Sequence, residues 1–263
     1  MTVRHLAELT RGQTRAAAAD NSVAVLPIGS VEQHADHLPL GTDYLLVDAV
    51  LDRALQRLHA ESGDWIRLPT LTYGHSPHHL FAAAVTLRPS TLAAVLADIL
   101  ASLSETGFRR MIIVNGHGGN DELIRLAVKG HALQHDGVAA ACSYWTLTDD
   151  SAPEGEGTGT VERPERTPGH AGWFETSLML SAHPHLVREI IDYQPADPPP
   201  LFDRSPYPSL TVERHDEWAR VGGITDDPRD ADASTGDLLL DRRAAGLRAA
   251  LSAFDRATAT REI

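Results

Sequence analysis

Four short stretches hold most of the side chains able to do chemistry. The first, GSVEQHADHLPLGTD (29–43), carries Glu32, His34, His37 and Asp43 directly after the apolar run VAVLPI. Glu32 and His34 are two apart, so in an extended segment they project from one face, as two ligands of a single metal would. The second, NGHGGN (115–120), presents His117 at the tip of the apolar run MIIV. Its glycines, Gly116, Gly118 and Gly119, let backbone approach closely, and the Gly118–Gly119 amides are candidates for an oxyanion loop. The spacing is not G-x-G-x-x-G and no G-K-[ST] follows, so a phosphate loop is the weaker reading. The third, YGHSPHHLF (73–81), offers His75, His78 and His79, with Ser76 as a hydrogen-bonding group. The fourth, GHAGWFETSLML (169–180), places His170 and Glu175 ahead of a helical run. Each stretch taken singly also reads as a polar turn, a solvated histidine or, for Glu175, a helix-start acid favoured by the dipole.

The combination says more. Two of these stretches follow strongly apolar strands, and parallel strands bring their C-terminal ends to one edge. Glu32, His34, Asp43 and His117 can therefore meet there. A set of His and carboxylate donors suits Zn²⁺, Mn²⁺ or Fe²⁺. A carboxylate such as Asp43 can bridge two ions, and such a pair activates water for attack on an amide carbon.

The elements that must position these groups alternate along the chain. SVAVLPIGS, WIRLPTLTYG, RRMIIVNG and GVAAACSYW read as buried strands. TDYLLVDAVLDRALQRLHAES, STLAAVLADILASLSETG, DELIRLAVKGHALQ and STGDLLLDRRAAGLRAALSAFDRA read as helices, with Thr42 or Asp43, and Ser90 or Thr91, as start signals and Gly107 as a stop. This alternation predicts an α/β fold with a parallel sheet, and short connections predict a single domain over 1–263. Two stretches break the pattern. Residues 149–169 read as a long loop able to act as a lid, and residues 194–218 as a Pro-rich insertion holding a small hairpin.

Composition excludes several classes. A net charge of −13, with Lys129 the only lysine, argues against nucleic acid as the partner. Cys142 is the only cysteine, so neither an intrachain disulfide nor a Cys-based zinc site is possible. No apolar run has the length of a membrane span and the start carries no apolar leader, which predicts a soluble, cytoplasmic protein without membrane contact.

In order, GSVEQH…HLPLGTD, YGHSPHHLF, NGHGGN, GHAGWFETSLML and GGITDDPRDADASTGD resemble the creatininase family of metal-dependent amidohydrolases, over roughly residues 23–240. The resemblance implies a three-layer α/β/α sandwich, a homo-oligomer (often a hexamer), and two divalent ions, commonly zinc, manganese or iron, with no organic cofactor. It implies Glu32, Asp43 and His117 as ligands of one ion and His34 and Asp43 as ligands of the other. His170 matches a proton-transfer position, Glu175 lies in the family's ETS element as a further candidate ligand or catalytic acid, and Trp145 in SYWTL matches a substrate-packing tryptophan. Ser76 and His79 are the other substrate-side candidates. Three departures stand out: Gly119 where creatininase proper has a metal-binding Glu, Ala35-Asp36 where Gly-Pro is usual, and FAAA where FPGT is usual. They imply a small amide other than creatinine, opened at a non-peptide or cyclic C–N bond by metal-activated hydroxide. A peptidase of the mycofactocin-precursor type, a formamidopyrimidine-type deformylase and a non-catalytic metal-binding protein are the alternatives.

Overall fold

The computed structural model describes residues 3–58, 64–147, 163, 167–203, 205–207 and 210–259. Its centre is a five-stranded sheet of β1 (Arg4–His5), β2 (Val23–Ile28), β3 (Trp65–Arg67), β4 (Arg110–Asn115) and β5 (Val138–Ser143), in the order β1-β3-β2-β4-β5. Every ladder is parallel. The central strands explain why apolar runs, not alternating ones, build this sheet. Val23 and Val25 of β2, with Ile112 and Val114 of β4, enter one core, whereas Ala24, Leu26, Ile28, Met111 and Ile113 enter the other. Both faces are covered, so the inner positions of these strands are apolar.

Helices α1 (Arg11–Ala19), α3 (Pro89–Thr106) and α4 (Asp121–Ala132) cover one face. Helices α2 (Thr42–Leu58), α5 (Trp173–Ala182) and α7 (Ala233–Thr258) cover the other, and a short α6 (Glu217–Arg220) lies in the segment before α7. The result is the expected three-layer α/β/α arrangement. The chain leaves β2 for β3 on one side and returns to β4 on the other. That reversal opens a crevice at the C-terminal ends of β2 and β4, the place where open α/β sheets hold ligands.

Pro27 sits in a central strand, where a missing N–H is usually costly. Here Leu68 N donates to Val25 O and Leu71 N to Pro27 O, so the proline nitrogen points to the β3 side, beyond Arg67 where β3 has already ended. No ladder bond is lost.

Several sequence expectations need correction. WIRLPTLTYG forms a strand only over Trp65–Arg67, and Pro69 comes two residues later; a lone bridge, Ile28↔Leu71, continues the contact. Helix α2 begins at Thr42, so Thr42 and Asp43 stand in its first turn and neither caps it. Helix α3 starts on Pro89 behind Arg88, one residue before Ser90, and ends as expected at Gly107 in the left-handed region (φ 111°). Among the described residues of 194–218 there is no hairpin, only bends, turns and the start of α6. The 149–169 lid lies outside the described residues apart from 163 and 167–169.

Candidate metal centre

The loop after β2 is pinned at both margins before it delivers its ligands. Glu32 bridges to Ala84, His34 bridges to Leu38, and Ala35 adopts a left-handed φ of 54° that turns the chain back on itself. Glu32 and His34 end fully buried. Asp43 follows in the first turn of α2, where the helix dipole favours a carboxylate. His117 leaves the tip of β4, and His79 ends a turn of 3-10 helix (Pro77–His79) beyond β3. His170 and Glu175 come from the entry to α5.

These seven residues converge. Asp43 Oδ1 lies 3.2 Å from His34 Nε2 and its Oδ2 lies 3.1 Å from His117 Nδ1. Glu32 Oε2 is 3.3 Å from His117 Nε2, while its Oε1 is 3.4 Å from His79 Nε2 and 3.6 Å from His170 Nδ1. Glu175 Oε2 is 3.6 Å from His34 Nε2 and accepts from Ala171 N at 2.6 Å. Four overlapping trios offer donor atoms within 4.8 Å of one another: Glu32/His34/Asp43, His34/His170/Glu175, Glu32/His78/His117 and Glu32/His79/His170.

Despite this crowding, both oxygens of Glu32, Nε2 of His34, Oδ2 of Asp43 and Nε2 of His79 are buried without a hydrogen-bond partner. Burying charge costs several kcal/mol per ion unless something compensates it. Backbone carbonyls orient the rings. His34 Nδ1 donates to Glu32 O at 3.1 Å and His117 Nε2 donates to His75 O at 3.0 Å, which turns the opposite nitrogen of each ring toward Asp43. A carbonyl fixing the outer nitrogen of a ligand histidine is the usual support of a metal site. The donor set is oxygen and imidazole only, which fits Zn²⁺, Mn²⁺ and Fe²⁺.

The electrostatics follow the same geometry. Burial alone would lower His34 and His117, but the carboxylates beside them overcome it and both pKa values are raised well above the ordinary histidine value. Asp43 is buried, which would raise it, yet His34 and His117 hold it well below the carboxylate range. The outer rings go the other way. Burial, reinforced by His34, lowers His170 to about 3, and burial lowers His78 to about 4. Burial and His34 lower His37 to about 4; this neutral ring bonds Thr176 Oγ1 at 2.9 Å and ties the loop to α5.

The remaining expected residues fall as follows. Ser76 is buried with its hydroxyl 2.9 Å from Ser30 Oγ, and His79 Nδ1 lies 2.9 Å from Gln33 Nε2. Trp145 lies half-buried beyond β5, edge-on to Tyr144. Gly118 and Gly119 form a turn of 3-10 helix (Gly118–Asn120). A Cβ on Gly119 would stand 2.2 Å from His75 O and 2.5 Å from His117 Nε2, so no acid fits there in this arrangement. Glu175 is the acid that approaches His34 instead.

Sequence reasoning missed Trp218. Its ring lies 4.8 Å from His79, 4.9 Å from His78 and 5.8 Å from His170, backed by Phe202 stacked at 4.0 Å. A cleft of about 590 Å³ opens beside it, lined by His78, Leu80, Phe81, Arg214 and Trp218 among others. The one available signal was a tryptophan in an otherwise polar, irregular segment.

Comparison with known proteins agrees with this architecture. The creatininase family, described as creatinine amidohydrolase, matches residues 7–251. A creatinine amidohydrolase of Pseudomonas putida is 33% identical over 70% of this chain and 74% of its own. A mycofactocin precursor peptide peptidase of Mycobacterium tuberculosis is 34% identical over 62% of this chain, which covers 60% of that protein. A solved creatininase superposes with TM-score 0.73 at 29% identity, covering 97% of this chain and 99% of its own. A manganese form gives 0.73 at 28% identity and a zinc–zinc form of a mutant gives 0.74 at 27%, each over the same 97% and 99% of the two chains. Fold and site together define an α/β metallohydrolase acting on C–N bonds. The chain belongs to the creatininase family. Among the described residues no helix is long and apolar enough to cross a membrane.

Proposed function

We propose that this chain, as one creatininase-like domain, hydrolyses a non-peptide or cyclic amide C–N bond in a small molecule. Two divalent ions, zinc, manganese or iron, would be held by Glu32, His34, Asp43 and His117, with Glu175 as a further ligand. The observation that carries this reading is the set of buried atoms on Glu32, His34 and Asp43 that face one another without a partner. Divalent cations would compensate His34, Asp43 and at least one oxygen of Glu32 at once. Asp43 directs one oxygen to His34 and the other to His117, the disposition of a bridging carboxylate. When bound, such ions lower the pKa of a water toward ~7 and polarise a carbonyl oxygen.

The protein's own groups do the rest. His170 donates Nε2–H to Gln33 O at 2.8 Å, which leaves Nδ1 as a proton acceptor facing the cluster. Burial keeps that ring neutral, so it can take a proton from the attacking water and return it to the leaving nitrogen. Glu175 is the second candidate for this transfer. Ser76, His79 and Trp145 stay the substrate-side candidates, with Trp218 added as a flat wall, and the Gly118–Gly119 amides as donors to the oxyanion. The homo-oligomeric state implied by the resemblance, and the cytoplasmic location expected from the composition, belong to the same reading.

One observation favours a second substrate class. The cleft beside Trp218, about 590 Å³, has the size of sites that take drug-sized ligands, larger than one small ring needs. A short peptide end would fill it. The deciding experiment incubates protein loaded with Mn²⁺, Zn²⁺ or Fe²⁺ with cyclic amides, formamides and short tyrosine-ended peptides. Turnover of a cyclic amide, lost in Asp43→Asn, is expected. Cleavage confined to peptides would overturn the small-amide reading in favour of a peptidase.

A further inference from the structure

Gln33 lies between Glu32 and His34, fully inside the cluster, and has no role in the scheme above. Its amide orientation is set from two sides. Oε1 accepts from Ala35 N at 2.9 Å, and Nε2 donates to Gly223 O at 2.9 Å. One N–H of that amide remains, and two ring nitrogens approach it: His79 Nδ1 at 2.9 Å and His170 Nε2 at 3.0 Å. His170 Nε2 is also 2.8 Å from the Gln33 carbonyl, which only accepts. That nitrogen must therefore carry a proton, and it cannot also receive one from the amide. The free amide N–H goes to His79 Nδ1, and the proton of His79 is left on Nε2, directed at Glu32 Oε1 3.4 Å away. The approach of Gln33 Nε2 to His170 Nε2 is then a contact between two donors, but every other assignment sets the Gln33 carbonyl against a bare nitrogen or a protonated His79 Nδ1 against the amide as well.

We infer that Gln33 is a positioning residue that holds both rings as Nε2–H tautomers with opposite consequences: His170 turns a bare Nδ1 into the cluster, whereas His79 turns an N–H into it and holds Glu32 without binding metal. Glu32 then has one oxygen occupied by His79 and the other left for a cation. This goes beyond donor geometry, by which His79 could serve as a ligand as well as any of its neighbours. The assignment of protons stands on hydrogen bonds alone; only the consequence for metal binding rests on the proposed metal centre.

The test is histidine side-chain NMR on ¹⁵N-histidine protein, with His79 and His170 assigned by single substitution, during titration with Zn²⁺. Both rings are expected as Nε2–H tautomers, and the His79 Nε2–H correlation is expected to persist at saturating Zn²⁺. In Gln33→Glu, which accepts where the amide donated, the His79 proton is expected to move to Nδ1, with the far-UV circular dichroism spectrum unchanged. A wild-type His79 protonated on Nδ1, loss of its N–H on adding Zn²⁺, or an unmoved tautomer in folded Gln33→Glu would each overturn the inference. The wild-type spectrum decides even if the variant does not fold. Failure to bind Zn²⁺ with both tautomers as stated would sink the metal reading and support the assignment.

Discussion

Asp43 and His117 are coupled across the crevice between β2 and β4: Oδ2 stands 3.1 Å from Nδ1, while Nε2 of the same ring is tied to His75 O. Without a cation, a proton occupies the space between them, because Glu32 and Asp43 overcome the burial that would lower His117. A metal ion must displace that proton, and the one His34 holds for the same reason. Metal affinity should therefore fall as pH falls, since acid favours the protonated competitor. Calorimetry in buffers of different ionisation enthalpy should show proton release on metal binding, and tighter binding in mildly alkaline than in mildly acidic buffer. Binding without proton release would contradict the coupling.

Gly119 is fixed by space, not by backbone conformation. A methyl group there would meet His75 O and His117 Nε2 inside contact distance, and backbone cannot move aside cheaply. Gly119→Ala should cost about 1–3 kcal/mol of stability, the usual range for overpacking. It should also weaken metal binding by about 10–100-fold through displacement of the carbonyl that orients His117. Thermal melts with and without metal measure both; unchanged metal-dependent stabilisation would rule out this role.

Trp218 borders the cleft and makes ring contact with three histidines, His78, His79 and His170, none of them among the expected metal ligands. Trp218→Ala should raise KM for whichever substrate is turned over by about tenfold, about 1.4 kcal/mol, and leave metal content unchanged. A large loss of metal with KM unaffected would show instead that the ring holds the cluster together.

Helix α5 carries Glu175 and packs closely against α7 at Gly236. A Cβ on Gly236 would stand 1.8 Å from Ser177 O, two residues beyond Glu175. Gly236→Ala should force the helices apart, lower stability by about 1–3 kcal/mol and lower Tm by at least about 2 °C. An unchanged melting curve would show that α5 is not seated there.

What was legible in the sequence were the elements buried on both faces or along a clear stripe. VAVLPI and RMIIVN could be little else than inner parallel strands, and α3, α4 and α7 carry their helical periods openly. Strand β1 has two residues and α1 buries only Ala17 and Ala18, too little apolar pattern for either to be read. The meeting of Glu32, His34, Asp43 and His117 at the strand tips was accessible because strand order and motif position point the same way. The place of Trp218 was not, since it is set by irregular segments whose partners lie far off in sequence. The reason for Gly119 was hidden too: it is a contact with His75, 44 residues earlier by number.

The metal content of the protein tests the central claim most directly. Wild type, Glu32→Gln, Asp43→Asn and the surface control Leu133→Ala would each be loaded with Mn²⁺ or Zn²⁺, desalted and measured by elemental analysis. Wild type and the control should retain close to two ions per chain, and each ligand variant should retain less than half of that. Full, wild-type metal content in both Glu32→Gln and Asp43→Asn would contradict the site.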